Sequence, residues 1–163
     1  MENKHGMNNN EESKSPYAKF ALMLLCSFLA MYMTMYLNAF EIDHVYFSLT
    51  RFYMACLGIS TMTVIMLLFM KNMYKAKKKN SAIVLGSLIL FMSALILART
   101  QTPVGDVTYM KAMIPHHSIA ILTSKRANIK DPKVKKLADE ISKAQEKEIA
   151  EMKEHIRRLQ SGE

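Results

Sequence analysis

The chain has 163 residues, half of them hydrophobic, and a formal net charge of +8, yet its mean hydropathy is only +0.02. That average conceals two unlike halves, because the apolar content lies before Arg99 and most of the charge after it. Two cysteines, Cys26 and Cys56, both within apolar stretches, exclude a disulfide framework and a CxxC metal site.

Residues 1–19 are polar and Asn-rich and carry Glu11 and Glu12, the composition of a disordered cytoplasmic tail. Three charge-free runs follow, Phe20 to Phe40, Phe52 to Met70 and Ser81 to Ala98. Each is close to the roughly 18–20 residues needed to cross a hydrocarbon core, so 20–98 reads as a three-helix transmembrane anchor in the lipid bilayer. The first run is long for the apolar core of a signal peptide and lacks a small-x-small cleavage site.

Orientation follows from the loops. Residues 71–80, Lys-Asn-Met-Tyr-Lys-Ala-Lys-Lys-Lys-Asn, form the kind of turn retained in the cytoplasm, while Glu41 to Phe47 contains no Lys or Arg. The N-terminus is then inside, the C-terminal part outside, and a bacterial cell (inner) membrane is the expected setting. Met62, Met66 and Met70, like Met31 and Met35, repeat at every fourth position, which places each set on one helix face as a packing stripe or as a soft-metal path.

Residues 99–163 read as an extracytoplasmic helical hairpin. Asp106 is the expected N-cap of a helix ending near Ala127, and Asp131 with Pro132 begins a second that runs to about Leu159. The second carries an apolar stripe at Val134, Leu137, Ala138, Ile141, Ile149, Met152, Ile156 and Leu159, interrupted by Gln145 and Glu148. A reversal at residue 129 pairs Met113 with Gln145, Met110 with Glu148 and His117 with Ile141, given equal rise on both helices. His155 then falls near the open end and is the weaker metal candidate.

Met110, Met113 and His117 align on one face of the first of these helices. Thioether sulfur and imidazole are the donors that soft copper selects, and Pro115 should bend the helix beside them. The same residues pack equally well in a structural core. Lys residues interleaved with Glu and Asp along the second helix describe a solvated surface, so nucleic acid is not an expected partner.

The run Tyr109-Met-Lys-Ala-Met-Ile-Pro-His-His117, followed by Asp131-Pro-Lys-Val-Lys-Lys-Leu-Ala138, Ile141, Gln145, Glu148-Ile149 and Met152, resembles the domain-of-unknown-function 305 family over about 106–159. The resemblance implies a ferritin-like helical bundle, exported or membrane-tethered, that binds Cu(I). Carried over by position, it implies Met110, Met113, His116, His117 and Met152 as metal ligands, with Gln145 and Glu148 as supporting or structural members. Thr123 stands where the family often has another Met, which removes one possible thioether.

The overall expectation is an all-α chain: three transmembrane helices, then a hairpin that completes a four-helix bundle in a homodimer. Its expected function is copper buffering, delivery or tolerance, without enzymatic turnover and with copper-handling proteins as partners. A metal-free structural or partner-binding membrane protein is the alternative, and a copper permease based on Met62 and Met66 a second. A di-metal oxidase is disfavoured, since it needs Glu-x-x-His pairs projecting into the bundle core and none occurs within residues 99–163, where Met152 stands three residues before His155.

Overall fold

The computed structural model describes residues 16–162, which form five α-helices and one 3-10 turn and, among the described residues, no strand. In chain order these are α1 (Pro16–Thr34), the 3-10 turn Ile42–His44, α2 (Leu49–Phe69), α3 (Lys77–Thr100), α4 (Asp106–Arg126) and α5 (Pro132–Ser161). The first three α-helices are long and apolar enough to cross a membrane. The N-terminal tail expected over 1–19 lies outside the described residues as far as residue 15; Pro16 to Lys19 already belong to α1.

The spans differ from the charge-free runs at their ends. Helix α1 stops at Thr34 rather than at Phe40, and the apolar residues after it turn away to pack elsewhere. Helix α2 starts three residues early because Ser48 caps it, its Oγ accepting from the Arg51 N–H at 3.3 Å. Helix α3 takes in Lys77 to Asn80 and ends where Gln101 turns left-handed and returns its N–H to the Leu97 carbonyl.

Helices α2 and α3 pack closely along their length, and α1 lies against α2. At the Lys-rich end Phe20, Leu67 and Tyr74 form a buried cluster with Met66 and Met70 around it, so two members of the α2 methionine stripe serve packing there. Met31 leans on Gly58, where an added Cβ would stand 3.0 Å from its sulfur. That glycine allows α1 its close approach to α2.

Gly105, not Asp106, is the N-cap of α4; Asp106 is the first helical residue, where its carboxylate favours the positive end of the helix dipole. Asp131 does cap α5, accepting from the N–H groups of Lys133 and Val134 at 2.9 Å each, with Pro132 in the first turn.

The register of the hairpin differs from simple reversal at residue 129. His117 lies against Glu148 rather than opposite Ile141, and Lys125 pairs with Glu146 at 2.6 Å. Both ends of the connection, Ala127 and Asp131, have β-region backbone, and the helices are offset by about seven residues, roughly 10 Å at 1.5 Å rise per helical residue. The first turns of α5 therefore overhang α4. Val134 and Leu137 stand half exposed, and Ile141 and Leu159 are also exposed, so the stripe expected inward is buried only at Ala138, Ile149 and Ile156, together with Ser142.

The hairpin does not close its core alone. Met110, Ile114, Ile121, Ile149 and Ile156 form the buried centre, and Phe40 and Tyr46 from the α1–α2 connection pack onto it beside Val107 and Met152. Arg51 clamps the same seam: Nη1 donates to the Met35 carbonyl at 2.6 Å, Nη2 to the Pro115 carbonyl at 3.3 Å, and the guanidinium lies 4.5 Å from the centre of the Tyr36 ring.

Candidate functional site

Pro115 cannot donate the helical hydrogen bond that would close the preceding turn of α4. Beside it the helix sends Met110, Ile114, Ser118 and Ile121 into the core, while His117 turns toward α5. Met110 is almost fully buried among isoleucines, and Met152 packs against that same cluster from α5. Met113 is half-buried one turn along.

His117 is the polar centre of the α4–α5 face. Its Nε2 lies 2.7 Å from Glu148 Oε2, which Gln145 Nε2 also approaches at 3.4 Å. A carboxylate can only accept, so in the neutral imidazole Nε2 carries the proton and Nδ1 keeps its lone pair. That Nδ1 is buried with no hydrogen-bond partner. Glu148 was expected to point inward; its side chain is half exposed, 50%, and the His117 contact is what holds it to the hairpin.

His116 is exposed, its ring edge-on to His117 at 6.1 Å between centroids. His155 is exposed farther along α5 and lines a shallow surface cleft with Glu154, Arg157 and Arg158. The fold thus joins Met110 with Met152 through one core, and His117 with Glu148 and Gln145 through hydrogen bonds. Thr123 spends its hydroxyl on the carbonyls of Ile119 and Ala120.

A second polar cluster was not anticipated. The 3-10 turn buries His44 against α4, where His44 Nδ1 and Ser118 Oγ are 3.0 Å apart; the same hydroxyl oxygen accepts the Phe40 N–H at 2.7 Å. Beside it Lys153 of α5 donates to Asp43 Oδ2 at 2.6 Å. Burial, helped by the nearby Lys153 charge, holds the His44 imidazole below the usual histidine range against the opposing pull of Asp43 and Glu41. Lys153 likewise holds the Asp43 carboxyl below its ordinary value. The only hint in the sequence was one His and two carboxylates within Glu41-Ile-Asp-His44.

A family model described as Domain of unknown function (DUF305) matches residues 92–162, which takes in the last part of α3 and the whole hairpin. Over 134 residues the chain is 38% identical to Uncharacterized protein L153 of Acanthamoeba polyphaga mimivirus, an alignment covering 80% of this chain and 86% of that protein. The likeness therefore extends well into the membrane half. No solved structure matches the chain.

Proposed function

This chain belongs to the DUF305 family, and from that premise we propose that it is a membrane-anchored, extracytoplasmic Cu(I)-binding protein that buffers copper or hands it on without catalytic turnover. One observation carries the reading: the His117 Nδ1 lone pair, buried and unpartnered, with its tautomer set by Glu148. An imidazole held this way is a ready ligand whose other nitrogen is already oriented. Met113 and Met110 on α4 and Met152 on α5 supply soft neutral thioethers, and His116 a second imidazole.

Sidedness, rather than a bacterial inner membrane in particular, is what the lysine distribution supports, and the relative above is viral. The hairpin and the Lys-free α1–α2 connection pack together, so both occupy the face opposite the Lys71–Lys79 turn, outside when that turn is inside. The half-exposed Tyr109, Val134, Leu137 and Ile141 suit a second copy of the hairpin, giving a ferritin-like four-helix bundle in a homodimer.

A purely structural role draws support from Met110, whose burial among isoleucines is what a packing methionine shows. Titrating the full chain in detergent with Cu(I) against a competing chelator separates the two. Changing Met110→Leu, Met113→Leu and His117→Gln together, which keeps side-chain volume, should weaken binding at least about tenfold. Equal affinity in wild type and variant rejects the copper reading.

A further inference from the structure

The His44 cluster is separate from the Met and His set on α4 and α5, and its geometry is that of a cation site. His44 is 6% exposed, and its imidazole hydrogen-bonds through Nδ1 to Ser118. Nε2 faces Glu41 Oε2 at 3.7 Å and Asp43 Oδ1 at 3.6 Å, beyond hydrogen-bond reach of either. One ligand atom from each of the three residues lies within 4.8 Å of the others. Ligands around a tetrahedral zinc ion, with bonds of about 2.0–2.1 Å, stand about 3.4 Å from one another. Small rotations of two exposed carboxylates bring this set to that spacing.

Ser118 can hold the proton of His44 on the Nδ1 side. Its oxygen has lone pairs for both the Phe40 N–H and an Nδ1–H from His44. With the proton there, the Nε2 lone pair points at two carboxylate oxygens, a repulsive arrangement that a bound cation reverses. An outer hydrogen bond on the far nitrogen of a ligand histidine is the usual support of such a site. Open space lies beside Glu41 and His44: a cleft of about 240 Å³ bordered also by Glu146, Lys153 and the apolar Phe40 and Ile149.

We propose that Glu41, Asp43 and His44 form a binding site for a borderline divalent cation of the zinc class, with water completing the shell and Lys153 as the neighbouring charge that offsets the carboxylates when no metal is bound. Imidazole with carboxylates selects such ions over soft monovalent copper. Lys153 holds Asp43 Oδ2, not the Oδ1 that faces His44, so the ammonium competes with the metal electrostatically and need not leave its oxygen. Lys125, the other nearby cation, is engaged by Glu146 at 2.6 Å. Because the site uses none of the proposed copper ligands, it stands or falls independently of them.

The test is a Zn²⁺ titration of the metal-stripped full chain in detergent against a chromophoric chelator. Wild type should bind one Zn²⁺ that His44→Gln loses and that Glu41→Gln, a change at an exposed side chain that folding tolerates, weakens about tenfold or more. The Met113→Leu/His117→Gln variant should retain it. Lys153→Ala should bind tighter than wild type, an outcome that a merely structural ion-pair cluster would not produce. Equal Zn²⁺ binding by wild type, His44→Gln and Glu41→Gln, or unchanged or weaker binding by Lys153→Ala, overturns the proposal.

Discussion

His44 and Ser118, 74 positions apart in the chain, meet at 3.0 Å between Nδ1 and Oγ. The contact joins the connection between two membrane helices to the middle of α4. Removing the hydroxyl with Ser118→Ala strips both His44 and the Phe40 N–H of a partner. The expected cost is about 1–3 kcal/mol, read as a lower melting temperature in detergent and as faster amide exchange at Phe40.

Arg51 acts at the same seam through a fork that lysine cannot reproduce. Arg51→Lys should loosen the bonds to the Met35 and Pro115 carbonyls and cost about 1.5–3 kcal/mol for each one lost. Limited proteolysis should then cut the α4–α5 hairpin sooner than in wild type, with the membrane spans still protected.

Met110 separates volume from chemistry. Met110→Ala leaves a hole among Ile114, Ile121 and Ile149 and should destabilise by about 2–5 kcal/mol. Met110→Leu should cost less than about 1.5 kcal/mol while still removing a thioether. Thermal unfolding and Cu(I) affinity measured on both variants distinguish a ligand from a filler.

Glu148 is half exposed, so Glu148→Ala should change stability little, yet it releases the tautomer of His117. Cu(I) affinity should fall about 10- to 100-fold. An unchanged affinity would mean that the His117–Glu148 pair does not orient a ligand.

Leu137 and Ile141 are exposed, and the proposed homodimer would bury them. A charge there, as in Ile141→Glu, should convert a dimer into a monomer by light scattering in detergent, without lowering the melting temperature of the protomer.

The three spans were legible because charge-free runs of that length have few other uses, and the α5 cap because Asp131-Pro132 is a strong local signal. The end of α1 was not. Apolar residues from Met35 to Phe40 look like more membrane helix, but Phe40 is spent on the core of α4 and α5 and Tyr36 on Arg51, a tertiary choice that no local pattern encodes. The hairpin register was missed for a similar reason, since residue count cannot reveal the backbone path between Ala127 and Asp131. Of the candidate metal residues, the helical face was readable from spacing. The pairing of His117 with Glu148 followed from the shifted register, and the His44 cluster from a long-range contact.

Phe40 and Tyr46 cover isoleucines that belong to another part of the chain. A soluble fragment beginning near residue 99 would therefore carry a bald patch over Ile114 and Ile121 and would tend to clump or recruit detergent. Any such fragment needs the Phe40–Ser48 segment supplied alongside it, as a fused or added peptide, before its metal chemistry speaks for the intact protein.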